Sequence, residues 1–189
     1  MTARARLGPS PLARASLASL LFMSACSEAP ADTRIGIFSP NASEQAFGPV
    51  GDFLGHRCGS LDCHGSQARN LRIWSCEGLR LAATDAAICS RAKGGRRTTP
   101  EEHTATYRSL VGLEPVVMST VVETGGENPE LLTFVRKARG TEAHKGGALI
   151  VPGDAQDQCI TTWLSGRTNL KACSDAFVQP KFPPAPSSP

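Results

Sequence analysis

Cys58, Cys63 and His64 are the residues whose types and spacing point to chemistry. They stand in the run Cys58-Gly-Ser-Leu-Asp-Cys63-His64-Gly65. Two thiols a short loop apart, the second joined directly to an imidazole, have three uses. They can form thioethers to the vinyl groups of a porphyrin whose iron the histidine ligates, a task for which two residues usually separate the cysteines instead of four. They can close on each other as a disulfide in an oxidising compartment, with His64 an ordinary surface residue. They can also contribute to a tetrahedral zinc site, although this spacing does not readily offer the further ligands. Porphyrin attachment is the reading favoured here. It needs the second cysteine beside the histidine, so that one short segment holds both the macrocycle edge and the proximal nitrogen. Cys63 and His64 keep that adjacency, and the wider gap lets the first thiol reach through a longer loop.

An iron held by His64 has a second axial position. The candidates outside the motif are His56, His103, His144 and Met118, since Met1 and Met23 lie at the N-terminal end. His56 is crowded by the covalent loop. His103 falls in the first turn of an expected helix and reads as exposed. His144 sits in the glycine-rich stretch Ala143-His-Lys-Gly-Gly147, where an imidazole reaches a metal without straining an element. Met118 lies among valines, which suits a core filler or a thioether ligand. His144 is the expected ligand and Met118 the alternative, with an open or water-bound position as a third. Arg69, Arg72 and Arg80 are candidates for pairing with haem propionates, because a guanidinium forks onto carboxylates. Trp74 is a candidate for packing on the macrocycle or in an ordinary core.

The N-terminal end bears on compartment. Residues 1–25 read as a signal peptide, with Arg4, Arg6 and Arg14 before an apolar run, Leu17 to Met23, too short to span a bilayer. The run ends in Met23-Ser-Ala-Cys26, similar to the bacterial lipobox, which implies acylation of Cys26 and a lipid-anchored mature protein. Met23 departs from the usual leucine. Ser27 after the cysteine implies the outer membrane, facing the periplasm. Without those three arginines the 20 basic residues fall to 17, against 17 acidic ones, so the mature chain carries no net formal charge. No basic stripe is left to suggest nucleic acid. No Ser/His/Asp or paired-carboxylate pattern suggests a hydrolase. Seven cysteines suit an exported protein. With Cys26 acylated and Cys58 and Cys63 on a porphyrin, neighbourhood pairs the remaining four as Cys76–Cys89 and Cys159–Cys173, one of three connectivities.

These residues need elements to position them. Residues 26–41 read as a flexible tether, 42–176 as one domain, and 177–189 as a proline-rich disordered tail. A helix over 42–57, capped by Ser43 or Asn41 and weakened by Gly48, Pro49 and Gly51, delivers the chain into Cys58. Residues 70–74 and 78–81 read as short strands. Thr99-Pro-Glu-Glu102 is a helix start with cap, proline and capping-box glutamate. The run 114–122 suits a buried strand or a short helix equally. Asn128-Pro-Glu130 starts a further helix, with Leu131, Leu132 and Val135 inward and Gly140 as its stop. Asp154 caps a last helix that buries Cys159, Ile160, Trp163 and Leu164.

A helix leading into Cys-x4-Cys-His-Gly, followed at the far end by a Gly-Gly…Val-Pro-Gly-Asp segment and a closing helix ending Trp163-Leu-Ser-Gly166, resembles the cytochrome c-like domains of bacterial envelope proteins, including the planctomycete type. The motif itself looks like the Cys-x4-Cys-His variant of some multihaem cytochromes. The resemblance covers roughly residues 45–168, with its specific features at the two ends, and the chain lacks the Met-Pro-Pro loop that commonly supplies the distal ligand there. It implies a mainly α, cytochrome c-like domain with irregular loops and two disulfides. It also implies one covalent haem c, on Cys58, Cys63 and His64, for one-electron transfer with redox partner proteins in the cell envelope. Two other classes stay open: a haem-free, disulfide-stapled lipoprotein acting as a binding or structural module, and a small peroxidase if the distal position is open.

Overall fold

A computed structural model describes residues 36–82 and 97–178. The expected leader, the lipidation site Cys26, the loop with Cys89 and nearly all of the proline-rich tail lie outside them. The chain divides into two compact units, Met1–Gly36 and Ile37–Pro189, and the description below concerns the second. Six α-helices are described: α1 Glu44–Cys58, α2 Pro100–Val111, α3 Pro115–Glu123, α4 Thr133–Arg139, α5 Ala155–Leu164 and α6 Leu170–Val178. A single 3-10 turn, Pro129–Leu131, leads into α4. No helix among the described residues is long and apolar enough to cross a membrane.

α1 is the central element and packs against α2, α5 and α6. It buries Phe47, Val50, Phe53, Leu54 and Arg57, a stripe at helical spacing. Gly48, Pro49 and Gly51 do not break it. Gly51 has a use instead: a Cβ there would stand 2.7 Å from the His103 ring, so its absence lets α2 approach closely. His103 is thereby buried, not exposed as expected. Its ring nitrogens meet Glu44 at 2.7 Å and Asp52 at 3.2 Å, both on α1. Burial opposes charging this imidazole, but the hydrogen bonds it donates to Asp52 and Glu44 outweigh it and raise the pKa above 6.5. A group with a raised folded pKa stabilises fully below its unfolded value and loses that contribution as pH climbs through the folded one. The melting temperature of the parent is therefore expected to exceed that of His103→Gln by more at pH 6 than at pH 9. An equal gap at both values would show that the ring acts by packing alone.

Both capped starts form as expected. Thr99 and Glu102 close a capping box on α2, and the Asp154 carboxylate accepts from the Asp157 amide at the start of α5. The ambiguous run 114–122 is helical, with Pro115 in its first turn and Met118 and Val121 buried. The two expected strands reduce to one isolated bridge between Trp74 and Leu79. Leu132 and Val135 point inward, but Leu131 is exposed, because the chain enters α4 through the 3-10 turn and not through a continuous helix. Gly140 ends α4 at φ 74°, the left-handed stop that glycine provides. Arg139 forks onto Asp157 at 2.8 and 3.1 Å and ties α4 to α5.

α6 goes beyond the sequence expectation. It packs on α5 and α1, and Cys173 bonds to Cys159 across the α5–α6 contact. That is the one disulfide between described residues. Of the expected Cys76–Cys89 bridge, Cys76 is disulfide-bonded, and Cys89 lies outside the described residues. The lead-in segment before α1 is stitched to the body by its carbonyls. Tyr107 donates to Pro40 at 2.8 Å and the Trp163 indole to Asn41 at 2.9 Å. Trp163 is fully buried against Phe47, ring centres 5.1 Å apart.

Candidate functional site

The last turn of α1 hands the chain to a tight reversal. The His64 amide donates to the Cys58 carbonyl at 2.9 Å, and the Cys63 and Gly65 amides both donate to Ser60 at 2.9 Å. Cys58 and His64 are thus neighbours in space, and the two residues beyond the usual spacing are taken up in an outward turn whose Leu61 is 66% exposed. The Arg69 guanidinium braces this turn, donating to the Cys63 and Asp62 carbonyls at 3.3 Å each. The reversal is crowded from two sides: a Cβ at Gly65 would lie 2.1 Å from the Gly59 oxygen, and one at Gly78 only 1.8 Å from it. Cys58 and Cys63 are not joined in a disulfide.

Behind the turn lies a cavity of about 400 Å³, a volume in the range of small-molecule and cofactor sites. Leu54, Leu71, Ile73, Phe134 and Ile160 give it apolar walls, and Cys58, His64 and His144 belong to the same lining. The two imidazoles face one another with ring centres 5.9 Å apart and planes 24° from parallel. His64 Nδ1 donates to the Leu71 carbonyl at 3.0 Å, which leaves Nε2 with its lone pair. Burial lowers the His64 pKa, the Leu71 bond acts in the other direction, and His144 and Arg69 lower it further. The neutral, ligating form is the one favoured. His144 Nδ1 likewise faces a backbone carbonyl, that of Gly147, at 3.4 Å.

His144 rides on the loop between α4 and residue 150. Glu142 anchors its near end, paired with Arg136 and Lys137 at 2.8 Å each, and Lys137 also donates to the Ala143 carbonyl at 2.9 Å. Those cations hold the Glu142 carboxyl below its usual range.

The structure brings Cys58, His64 and His144 to one cavity, while Cys63 is exposed and not part of its wall. Met118 lies in the core at 1% exposure and does not line the cavity. His56 pairs with Glu77 at 3.0 Å, and His103 is engaged between α1 and α2. Of the three arginines considered for propionates, Arg69 is in the wall. Arg72 and Trp74 line a separate shallow groove. Arg80 is committed to Glu102 at 2.7 Å, both side chains almost fully buried. Lys137, in the wall, escaped the sequence reading because a lysine near a helix C-terminus is favoured by the helix dipole and gives no sign of a site. Arg57 escaped too, as a cation next to a motif gives no sign of being buried.

Among the described residues no three or more His, Cys, Asp or Glu side chains are grouped to hold a bare metal ion. A porphyrin brings four nitrogens of its own and asks the chain for axial ligands only. Imidazole nitrogens bind metals at about 2 Å. With each ring centre about 1 Å further back, two imidazoles that ligate one metal stand roughly 6 Å apart; the His64 and His144 centres are 5.9 Å apart in a stacked arrangement, so the distance matches and the rings would turn edge-on to share a metal. No family model, curated protein or solved structure matches this chain.

Proposed function

We propose that the chain is an envelope cytochrome, holding one haem c through Cys58 and Cys63, with His64 and His144 as axial ligands, for one-electron transfer. The observation that carries this reading is the pair of facing imidazoles, each with Nδ1 turned to a carbonyl, in an apolar cavity whose wall includes Cys58. The haem would supply the one-electron iron couple. The chain's part is to keep His64 neutral and oriented, to exclude water with the apolar walls, and to meet the propionates with Arg69. The sequence before residue 36 adds a lipid at Cys26 and an outer-membrane location to the proposal.

A haem-free, disulfide-stapled binding module has one observation in its favour, the exposed position of Cys63 outside the cavity wall. Absorption spectra separate the two. Full-length protein made with the cytochrome c maturation machinery is expected to give a low-spin ferric spectrum, which His144→Ala turns high-spin and Met118→Ala leaves unchanged. A parent protein without a haem spectrum overturns the proposal. A low-spin His144→Ala protein overturns the assignment of His144.

A further inference from the structure

Arg57 immediately precedes Cys58 in the last turn of α1 and is 6% exposed. An arginine is rarely buried unless its charge is put to use. Its Nη2 donates to the Leu149 carbonyl at 2.8 Å. The Leu149 amide donates to Ala138 at 2.9 Å, and the Ile150 amide to the same oxygen at 3.1 Å. Leu149 is therefore gripped from two sides, by α4 through its N–H and by α1 through its carbonyl. Leu149 and Ile150 are both cavity wall. The Asp154 carboxylate acts on the Arg57 charge from the start of α5. Glu142 ties the near end of the His144 loop; Arg57 ties the far end, and it does so from the helix that carries the first attachment cysteine.

We propose that Arg57 is a positioning residue of the site: it holds the His144 loop against the helix ending in Cys58 and so maintains the His64–His144 spacing. The inference rests on the haem reading. A guanidinium suits this role because its fork is planar and keeps its charge when buried. The His144 ring makes only a long hydrogen bond of its own, 3.4 Å to Gly147, so its place depends on how the loop ends are held.

The test is an imidazole titration of full-length ferric holoprotein: parent, Arg57→Met, Arg57→Lys and His144→Ala. Added imidazole competes with His144 for iron and reports how firmly the loop presents it. Arg57→Met is expected to bind imidazole about tenfold more tightly than the parent, the scale of one lost hydrogen bond to a charged group. Arg57→Lys is expected to fall between the two and His144→Ala to bind most tightly, all with the parent's haem content. A residue that only stabilises the fold would lower the melting temperature and leave the imidazole affinity of the folded protein at the parent value; that result overturns the inference. If Arg57→Met does not fold, Arg57→Lys decides by the same criterion. Failure of the haem reading looks different, because the parent itself then carries no covalent haem. In haem-free protein, Arg57→Lys is expected to speed amide exchange across residues 141–150 while α2 keeps the parent rate. Unchanged exchange there counts against Arg57 as the loop's tie.

Discussion

The Cys58→Ala/Cys63→Ala protein, made at full length with cytochrome c maturation factors, is expected to carry no haem through a denaturing gel, whereas the parent band stains for haem at its own mass. The reasoning is chemical. A thioether is covalent and survives unfolding, while the ligation proposed for His64 and His144 would be lost when the cavity opens. Each single variant keeps one thiol and is expected to keep part of the stain. Cys58 has the cavity at hand, and Cys63 is fixed beside His64 by the turn on Ser60. An unstained parent band would remove the basis of the proposed function, and a double variant stained as strongly as the parent would move the attachment to other residues.

Glu102→Ala is expected to cost about 3–5 kcal/mol, the usual result of removing one partner from a buried ion pair. The Glu102 carboxylate takes two bonds from Arg80, at 2.7 and 3.0 Å, and two from the Leu81 and Thr99 amides, at 3.2 and 3.0 Å. Its side chain is 1% exposed and that of Arg80 6%. Truncation leaves the guanidinium in a dry site with its main counter-charge gone and removes half of the capping box. Urea unfolding is the measurement, with a midpoint drop of roughly 2 M expected. Glu101→Ala, on the exposed side of the same helix, is the comparison and should change little. Equal effects at 101 and 102 would sink the argument.

Glu102 also explains why some of the molecule was legible in the sequence and some was not. Its cap role follows from local spacing, and so do Asp154, Gly140 and the α1 stripe, because each depends on neighbours a few residues away. Its role as counter-ion to Arg80 does not, since the residue was already accounted for, and Arg80 therefore read as a propionate partner. His103 read as exposed because the hollow that buries it is made by Gly51, far off in the chain. The run 114–122 had two readings until its neighbours were known. α6 went unseen although Ala172, Cys173 and Ala176 recur at helical spacing, because it is only 9 residues long and its order comes from packing on α5 and α1. Of the site, the motif was visible and His144 ranked first among candidates, but the cavity that unites them is built from six separate segments.

The crowding at the Gly59 carbonyl sets a schedule. Gly65 and Gly78 both press on that oxygen, and the Ile73 amide donates to the His64 carbonyl of the turn at 2.8 Å. A chain made from its N-terminus presents Cys58, Cys63 and His64 before Gly78 exists. Until the later segment docks, the turn lacks its backing and both thiols swing freely; afterwards Cys58 is committed to the cavity wall. Any chemistry on these thiols that needs them mobile has an interval with a definite end, and its length is the time the chain takes to deliver the 14 residues from His64 to Gly78 (78 − 64) and fold them back.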